Sequence, residues 1–123
     1  MKNFNKFIGN YGEKLASNYL IANNYKILEN NFRNFLGEID IISIKHNILV
    51  ITEVKSRYNI NYGYPQEAVT YSKQKSIAKI TSSYINLRKL RLHLNVRFDV
   101  IEVFFNTDNS LYKINHIKDA FRL

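Results

Sequence analysis

The chain has 123 residues, enough for one hydrophobic core, and it has no cysteine, which excludes disulfides and thiolate metal ligands. Apolar residues make up 46% of the sequence, a share that argues against a disordered chain. The 18 Lys and Arg residues against 10 Asp and Glu residues give a net charge of +8, which favours a polyanionic partner; on charge alone nucleic acid, an anionic membrane and a merely solvated basic face all remain open.

No linker, internal repeat or low-complexity tract divides the sequence, so one domain over residues 1–123 is expected. The longest apolar runs are far shorter than a membrane span requires. The first residues, 1–7, also lack the apolar core of a signal peptide. We therefore expect a cytoplasmic protein without a membrane segment.

The first predicted element is a helix over residues 10–23, because apolar residues recur there every three or four positions. The predicted apolar stripe consists of Tyr11, Leu15, Tyr19 and Ala22, widened by Ala16 and Leu20. On a helical wheel Glu13 lies beside Leu20 and Ala16, at the edge of this stripe. A carboxylate is therefore expected at the border of the core.

Three strands are predicted next, over residues 25–32, 38–44 and 48–55, and the last two are rich in β-branched residues. The connection of residues 45–47 is too short for a crossover, so these two strands should pair as an antiparallel hairpin. Neither strand alternates cleanly between polar and apolar residues. Both faces of the sheet are therefore expected to be covered by helices.

The second half of the chain begins with a helix predicted from about residue 71 to residue 90. The expected apolar face of this helix consists of Ile77, Ile80, Tyr84 and Leu87. A strand over residues 96–105, a turn at 107–110 and a short strand over 111–117 follow. The order α-β-β-β-α-β-β predicts a mixed α/β fold.

Charged residues in strands that otherwise read as core are the strongest chemical signal in the sequence. They are Glu38, Asp40, Glu53 and Lys55. If residues 46 and 47 form a two-residue turn, Asp40 lies opposite Glu53, and Glu38 lies opposite Lys55. A salt-bridged sheet surface, with Glu38 paired to Lys55, is the structural alternative.

Two carboxylates about 5 Å apart repel each other by roughly 3 kcal/mol at an effective dielectric constant near 20. A divalent cation between Asp40 and Glu53 reverses the sign of that interaction, and oxygen ligands suit Mg²⁺ or Mn²⁺. Lys55 shares a strand face with Glu53, so its ammonium can orient a water molecule or stabilise charge on a phosphorane.

Several segments together form a recognisable signature. They are residues 37–42, 49–57, 63–70 followed by Lys73, 97–100 and 116–121. This combination, which extends over nearly the whole chain, resembles the YraN-like family of small bacterial proteins. The resemblance implies a restriction-endonuclease-like fold similar to that of archaeal Holliday-junction resolvases. It also implies that Asp40 and the pair Glu53 and Lys55 are site residues, and it matches Glu13 to a helical Glu of the resolvases. One departure is Ile39, where the superfamily often has Pro.

The residues and the resemblance together predict a DNA endonuclease dependent on Mg²⁺ or Mn²⁺, with Lys55 positioning the nucleophile. The expected metal ligands are Asp40, Glu53, the backbone carbonyl of Val54 and, through water, Glu13. Branched or otherwise structured DNA is compatible with the same analogy, and no motif in the sequence specifies whether the substrate is a junction, a flap, a single strand or a nicked duplex. A homodimer is also compatible with this analogy, because resolvases cut two strands.

Basic residues after the hairpin are predicted to contact nucleic acid. They are Arg57, Lys73, Lys75 and Lys79. For Arg57 a surface ion pair is the alternative. Glu38 and Gln66 are predicted supporting residues. Gln66, like Glu67, can position water or Lys73, or can simply favour a helix N-terminus through the dipole.

Other polar residues are assigned structural roles. Asp99 is expected to pair with Arg97 or Arg57, and the three histidines, His46, His93 and His116, show no ligand spacing and are expected in turns or on the surface. Two rival functions stay open. One is a non-catalytic DNA or RNA binder that keeps the fold; the other is a protein-interaction module that uses the Tyr-rich segment 58–64.

Overall fold

Five strands form one mixed sheet, and a helix covers each of its faces. The computed structural model describes residues 2–58, 69–90, 94–106 and 111–122, with the side chains of residues 10–57 in the first range. The elements are α1 (Lys2–Ala22), β1 (Lys26–Asn34), β2 (Gly37–Lys45), β3 (Ile48–Tyr58), α2 (Tyr71–Leu87), β4 (Asn95–Phe105) and β5 (Tyr112–Phe121). The predicted order α-β-β-β-α-β-β and the mixed α/β class are confirmed, and the arrangement is consistent with a restriction-endonuclease-like fold.

The strands follow the order β1-β2-β3-β4-β5 across the sheet. All neighbours are antiparallel except β3 and β4, which are parallel. Parallel neighbours need a crossover connection, and α2 lies in the connection between these two strands. Neither helix in the described part of the chain combines the length and apolar character that a bilayer span requires.

The β2–β3 hairpin is closed by the two-residue turn that the sequence predicts. His46 and Asn47 have φ angles of 51° and 63°, which a type I′ turn requires at both central positions. Lys45 consequently pairs with Ile48, and the antiparallel ladder continues to the pair of Ile41 and Thr52. The turn thus sets the register of the strands that carry the predicted site.

The buried stripe of α1 is centred differently from the prediction. Leu15, Ala16 and Leu20 are buried, whereas Tyr11 is 43% exposed and Ala22 is exposed. The reason is the close approach of α1 to β3 at Gly12, where an added Cβ would lie 2.0 Å from Ser56 Oγ. This contact turns the Gly12 side of the helix toward the sheet. The helix also begins earlier than predicted, at Lys2, and residues 2–9 contain no proline that would interrupt it.

The α2 helix packs on the opposite face through Ile77, Ile80 and Tyr84, as predicted. Leu87 was expected on this face and is 62% exposed, because it is the last residue of the helix and the buried face ends one turn earlier. β5 extends past the predicted end to Phe121, since Asp119 takes a left-handed φ of 56° and the strand rejoins β4 beyond it. The predicted turn at 107–110 lies outside the described residues.

Candidate metal centre

β2 and β3 separate beyond the pair of Ile41 and Thr52, and the predicted site residues lie where they separate. On one side β2 remains paired with β1 as far as Gly37. On the other side β3 remains paired with β4 as far as Tyr58. We call this gap between the two strands the fork. The Val54 backbone N–H donates to Asp40 Oδ2 across the fork at 2.8 Å.

The alternation of side chains along β2 breaks at Asp40. Ile39 belongs to the hydrophobic cluster under α2, whereas Ile41 belongs to the cluster under α1. In a regular strand two residues that far apart would share a face. Asp40 therefore does not follow the regular alternation of side chains along β2. Its carboxylate instead accepts a hydrogen bond from the backbone of β3.

The predicted register of the hairpin is confirmed as far as the pair of Ile41 and Thr52, but the two strands separate before the predicted charged pairs are reached. The β2–β3 ladder includes neither Asp40 with Glu53 nor Glu38 with Lys55. Glu38 instead forms an ion pair with Arg33 of β1 at 2.8 Å. The predicted neighbourhood of Asp40 and Glu53 holds, because the charge of Glu53 acts directly on Asp40.

Electrostatics identify a cluster of carboxyl groups in the fork. Burial and, next in size, the charge of Glu53 raise the pKa of the Asp40 carboxyl to about 7; Glu13 and Glu38 contribute to this rise, and the hydrogen bond from the Val54 N–H opposes it. Burial also raises the pKa of Glu13, whose carboxyl shares a side-chain hydrogen bond with Asp40. Two carboxyl groups can hydrogen bond only when one of them carries a proton. The carboxyl groups of this cluster are therefore too buried and too close together for all of them to be charged without a bound cation.

Asn31 joins two members of this cluster and was not singled out from the sequence. With its amide nitrogen toward them, it donates to Glu13 Oε2 at 2.8 Å and to Glu38 Oε1 at 3.0 Å. Its φ of 55° is left-handed, a conformation that Asn tolerates better than most residues. The signal available in the sequence was an Asn inside a predicted strand, where Asn is normally depleted.

The ammonium that contacts Glu53 belongs to Lys73. Its Nζ lies 2.8 Å from Glu53 Oε2, and the Glu53 side chain is 8% exposed. The hydrogen bond to Glu53 raises the pKa of Lys73. Lys73 lies in the first turn of α2, where its backbone N–H donates to Oγ1 of the N-cap Thr70 at 3.2 Å. Lys73, which was predicted to contact phosphate, thus forms an ion pair with Glu53, a predicted metal ligand.

Lys55, predicted to supply that ammonium, is half-buried two residues after Glu53 on β3. Its partner in the parallel ladder is Glu102, a buried residue of β4 whose Oε1 accepts from Asn115 Nδ2 at 3.0 Å. Glu102 was missed in the sequence, although a charged residue between Ile101 and Val103 is the same signal that identified Glu53.

A family model described as "Uncharacterised protein family UPF0102" matches residues 12–103. The chain belongs to the UPF0102 family. It is 66% identical over 122 residues to a UPF0102 protein of Clostridium botulinum strain Eklund 17B, with 99% of each chain covered. It is 60% identical to one of Clostridium beijerinckii, covering 100% of this chain and 99% of the relative, and 50% identical to one of Clostridium tetani, covering 100% of both.

Membership of UPF0102 confirms the resemblance to the YraN-like proteins. The segment that the family match covers includes Gly12 and Glu13 on α1, Asp40 on β2, Glu53 on β3 and Lys73 on α2. The names of these UPF0102 relatives state a family and no activity. The chemistry of the site must therefore be argued from its residues.

The donor set of the fork suits a hard divalent cation. Asp40, Glu53 and Glu13 offer carboxylate oxygens, and a cation among them would relieve the repulsion that raises the pKa of Asp40. Among the residues whose side chains are described, no three Asp, Glu or His groups are already arranged closely enough to hold a metal ion. Glu53 is turned to Lys73 and Glu13 to Asn31. A metal site here would require both side chains to turn away from these partners.

The structure describes three of the remaining predicted site residues. Lys75 and Lys79 are exposed on α2, and Arg57 is half-buried near the end of β3, opposite Phe104. Gln66 and Glu67, like His93 and most of the Tyr-rich segment, lie outside the described residues. His46 lies in the hairpin turn as expected. The surface role expected of His116 is wrong, because its side chain is 4% exposed and bonded to Asp99.

Proposed function

We propose that this UPF0102 protein is a DNA endonuclease that depends on Mg²⁺ or Mn²⁺ and cleaves at the fork. The observation that carries the proposal is the Asp40 carboxyl, whose pKa is raised to about 7 by burial and by Glu53. A buried, mutually repelling carboxyl cluster is unfavourable for stability alone. Such groups cluster at sites that bind cations or move protons.

The metal would be held by Asp40 and Glu53, by the backbone carbonyl of Val54 and, through water, by Glu13. When bound, it lowers the pKa of a water molecule and polarises the scissile phosphate. The chain's own residues prepare this site. The Val54 N–H fixes Asp40 across the fork, and Asn31 holds Glu13 on the same cluster.

Lys55 would position the nucleophile. It shares the α2 face of β3 with Glu53, because residues two apart in a strand point the same way. Its ladder partner Glu102 is fixed by Asn115, so a buried carboxylate is available to orient the Lys55 ammonium. An oriented ammonium beside the fork suits the negative charge that develops during phosphodiester hydrolysis.

The basic face of α2 would hold the DNA backbone. Lys75 and Lys79 line a depression of about 550 Å³ together with Tyr71, Ala78 and Arg122. Three cations there can contact successive phosphates, and the Lys75 ammonium lies over the exposed ring of Tyr71, 5.0 Å from its centroid. Lys73 precedes them on α2 and adjoins the fork, so a strand bound along this face would pass the carboxyl cluster.

Cleavage assays with a panel of branched, nicked, single-stranded and linear DNAs test the proposal. We expect cleavage in Mn²⁺ or Mg²⁺ and none in EDTA. Lys55→Ala should lower the cleavage rate by at least about a hundredfold while DNA binding persists, because removal of a charge-stabilising group typically has an effect of that order. Lys26→Ala, which removes an exposed cation from β1, serves as the charge-matched control and should cleave normally. Equal cleavage in EDTA, or full activity of Lys55→Ala, would contradict the mechanism.

A non-catalytic nucleic-acid binder is the second candidate, favoured by the ion pair that turns Glu53 toward Lys73. Binding needs the cations of α2 and does not need opposed carboxylates. Calorimetric titration with Mn²⁺ separates the two functions. Mn²⁺ binding that Asp40→Asn removes and Glu29→Gln leaves intact supports the nuclease, whereas DNA binding with no Mn²⁺ binding supports the binder.

A further inference from the structure

Lys73 approaches the fork from the face opposite to α1. Glu53 follows Leu49 and Ile51 of the α2-side cluster, so its side chain meets α2. There the ammonium of Lys73 lies 2.8 Å from Glu53 Oε2. The start of α2 is fixed by the Thr70 cap and by packing of Ile77 on the sheet, so the root of the Lys73 side chain has a defined position.

This ammonium and a divalent cation would need the same carboxylate. A Mg²⁺ or Mn²⁺ ion binds oxygen at about 2.0–2.2 Å, closer than the ammonium, and two cations on one carboxylate repel each other. Glu53 is nearly buried, so solvent screens that repulsion poorly. The 54% exposure of the Lys73 side chain leaves it room to move away.

We propose that Lys73 is a built-in counter-ion that competes with the divalent cation for Glu53 and thereby sets the cation affinity of the fork. The inference rests on the proposed function, since it assumes that Glu53 is a metal ligand. Lys73 is in this view a positioning residue, which acts on the metal through Glu53. Removing its charge should therefore tighten metal binding, whereas loss of a metal ligand would weaken it and loss of a residue that contacts only DNA would leave it unchanged.

Isothermal titration of the DNA-free protein with Mn²⁺ tests this inference. Lys73→Met removes the charge and keeps an unbranched side chain. We expect its Kd for Mn²⁺ to be about three- to tenfold lower than that of the wild type, the range that loss of a partly buried ion pair provides. An unchanged or higher Kd would overturn the inference, since Glu53 would then bind the metal ion without losing its contact with Lys73.

Two further variants separate competition from a general effect of charge. Arg88→Met removes another cation at the end of α2, one that pairs with Glu29 of β1 at 2.6 Å, and should leave the Kd unchanged. Lys73→Arg keeps a cation that can pair with Glu53 and should stay within about twofold of the wild type. A Kd lowered equally by Arg88→Met would overturn the inference.

Thermal denaturation gives a readout independent of calorimetry. Mn²⁺ should raise the Tm of Lys73→Met more than that of the wild type, since ligand stabilisation grows with affinity. An equal or smaller rise would count against competition. These measurements use no DNA, so wild-type protein that binds Mn²⁺ but does not cleave would refute the nuclease and leave the inference standing. Protein that binds no Mn²⁺ in either form would refute both.

Discussion

The Asp40 carboxyl is subject to two opposing effects, one that favours its charged form and one that favours its neutral form. Selection for stability alone would avoid such a combination. The Asp40 carboxylate accepts a hydrogen bond from the Val54 backbone, which favours the charged form. Burial and the neighbouring Glu53 favour the neutral form, and they prevail, since the pKa is raised to about 7. The carboxyl is thus close to half-protonated at neutral pH, and a bound cation would have to displace that proton.

This raised pKa predicts an unusual pH dependence of stability. An Asp carboxyl ordinarily has a pKa of 3.8, whereas the pKa of Asp40 in the folded protein is about 7, so the folded protein binds an additional proton between those values. Stability should therefore fall as pH rises from about 4 to about 7, by at most about 1.4 kcal/mol per pH unit for one proton. Asp40→Asn should flatten this slope, which urea unfolding in EDTA at pH 5, 6, 7 and 8 would measure.

The control for that series is Glu29→Gln, which removes a carboxylate of β1 that pairs with Arg88 away from the fork. It should retain the wild-type slope between pH 5 and pH 8. If Asp40→Asn and the wild type show the same slope, the Asp40 carboxyl is not protonated in this range, and the fork holds less concentrated negative charge than proposed.

At the scale of elements, the contact between α1 and β3 places Glu13 at the fork. Gly12 lies so close to Ser56 that a Cβ there would be 2.0 Å from its Oγ and 3.2 Å from its Cβ. Leu15 and Ala16 are buried one turn further along the same helix. The missing side chain at residue 12 thus lets α1 approach β3, and Glu13, the next residue, reaches Asp40 as a consequence.

Gly12→Ala tests this close approach. Replacing Gly by Ala inside a helix usually stabilises it by about 0.5–1 kcal/mol, because Gly has the larger conformational freedom in the unfolded chain. Here we expect the opposite sign, a loss of about 1–3 kcal/mol in the free energy of unfolding, which is typical of overpacking. Cleavage should fall as well, since α1 carries Glu13. Urea denaturation and the cleavage assay measure the two effects.

A compensating variant gives the matched control. Ser56→Gly removes both atoms that the new Cβ would meet, so the double variant Gly12→Ala with Ser56→Gly should be more stable than the sum of the two single changes predicts. If the changes in the free energy of unfolding are additive, the side chains at positions 12 and 56 do not clash.

The extent to which these elements follow from the sequence depends on how local their causes are. The β2–β3 hairpin could be predicted because a short connection and two β-branched strands specify it. The fork could not, because it arises where β3 stays with β4 and β2 stays with β1. The pairing of Lys73 with Glu53 was equally out of reach, since it depends on where α2 lies over the sheet. Asp40 was found from a signal of charge within an apolar strand, and Glu102 carried the same signal.

At the scale of the whole molecule, one buried carboxylate ties the far edge of the sheet to α1. Asp99 is 1% exposed and accepts two hydrogen bonds from Arg97, both at 2.9 Å. It lies 2.7 Å from His116 Nε2, and the Asp119 backbone N–H donates to it at 3.0 Å. His116 Nδ1 lies 3.0 Å from the hydroxyl of Tyr19 on α1. The predicted structural pairing of Asp99 with Arg97 is confirmed, and the network joins β4, β5 and α1.

The charge of Asp99 makes this network sensitive to acid. Burial alone would raise the pKa of Asp99, but hydrogen bonds from His116, Arg97 and the Asp119 backbone outweigh it, so the pKa is lowered from its ordinary value of 3.8. A carboxyl with a lowered folded pKa contributes stability that is present above its unfolded pKa and is lost as pH falls below it. The Asp99 carboxyl therefore makes stability depend on pH below about pH 4. The Asp40 carboxyl makes stability depend on pH above that value. Together they should place maximum stability at mildly acidic pH.

Asp99→Asn removes the charge while keeping the size of the side chain. We expect the free energy of unfolding at pH 7 to fall by about 3–5 kcal/mol, because Arg97 is left without its buried counter-charge. The loss of stability between pH 5 and pH 3 should also be smaller than in the wild type, and urea unfolding at these three pH values measures both effects. Asp119→Asn, which changes a residue of the same region whose side chain pairs with the exposed Arg122, should lower stability by less than about 1 kcal/mol. A similar loss of stability in both variants would mean that the buried network contributes no more to the free energy of unfolding than a surface ion pair does. In that case the packing of α1 on the sheet would depend on its buried apolar residues, among them Leu15, Ala16 and Leu20.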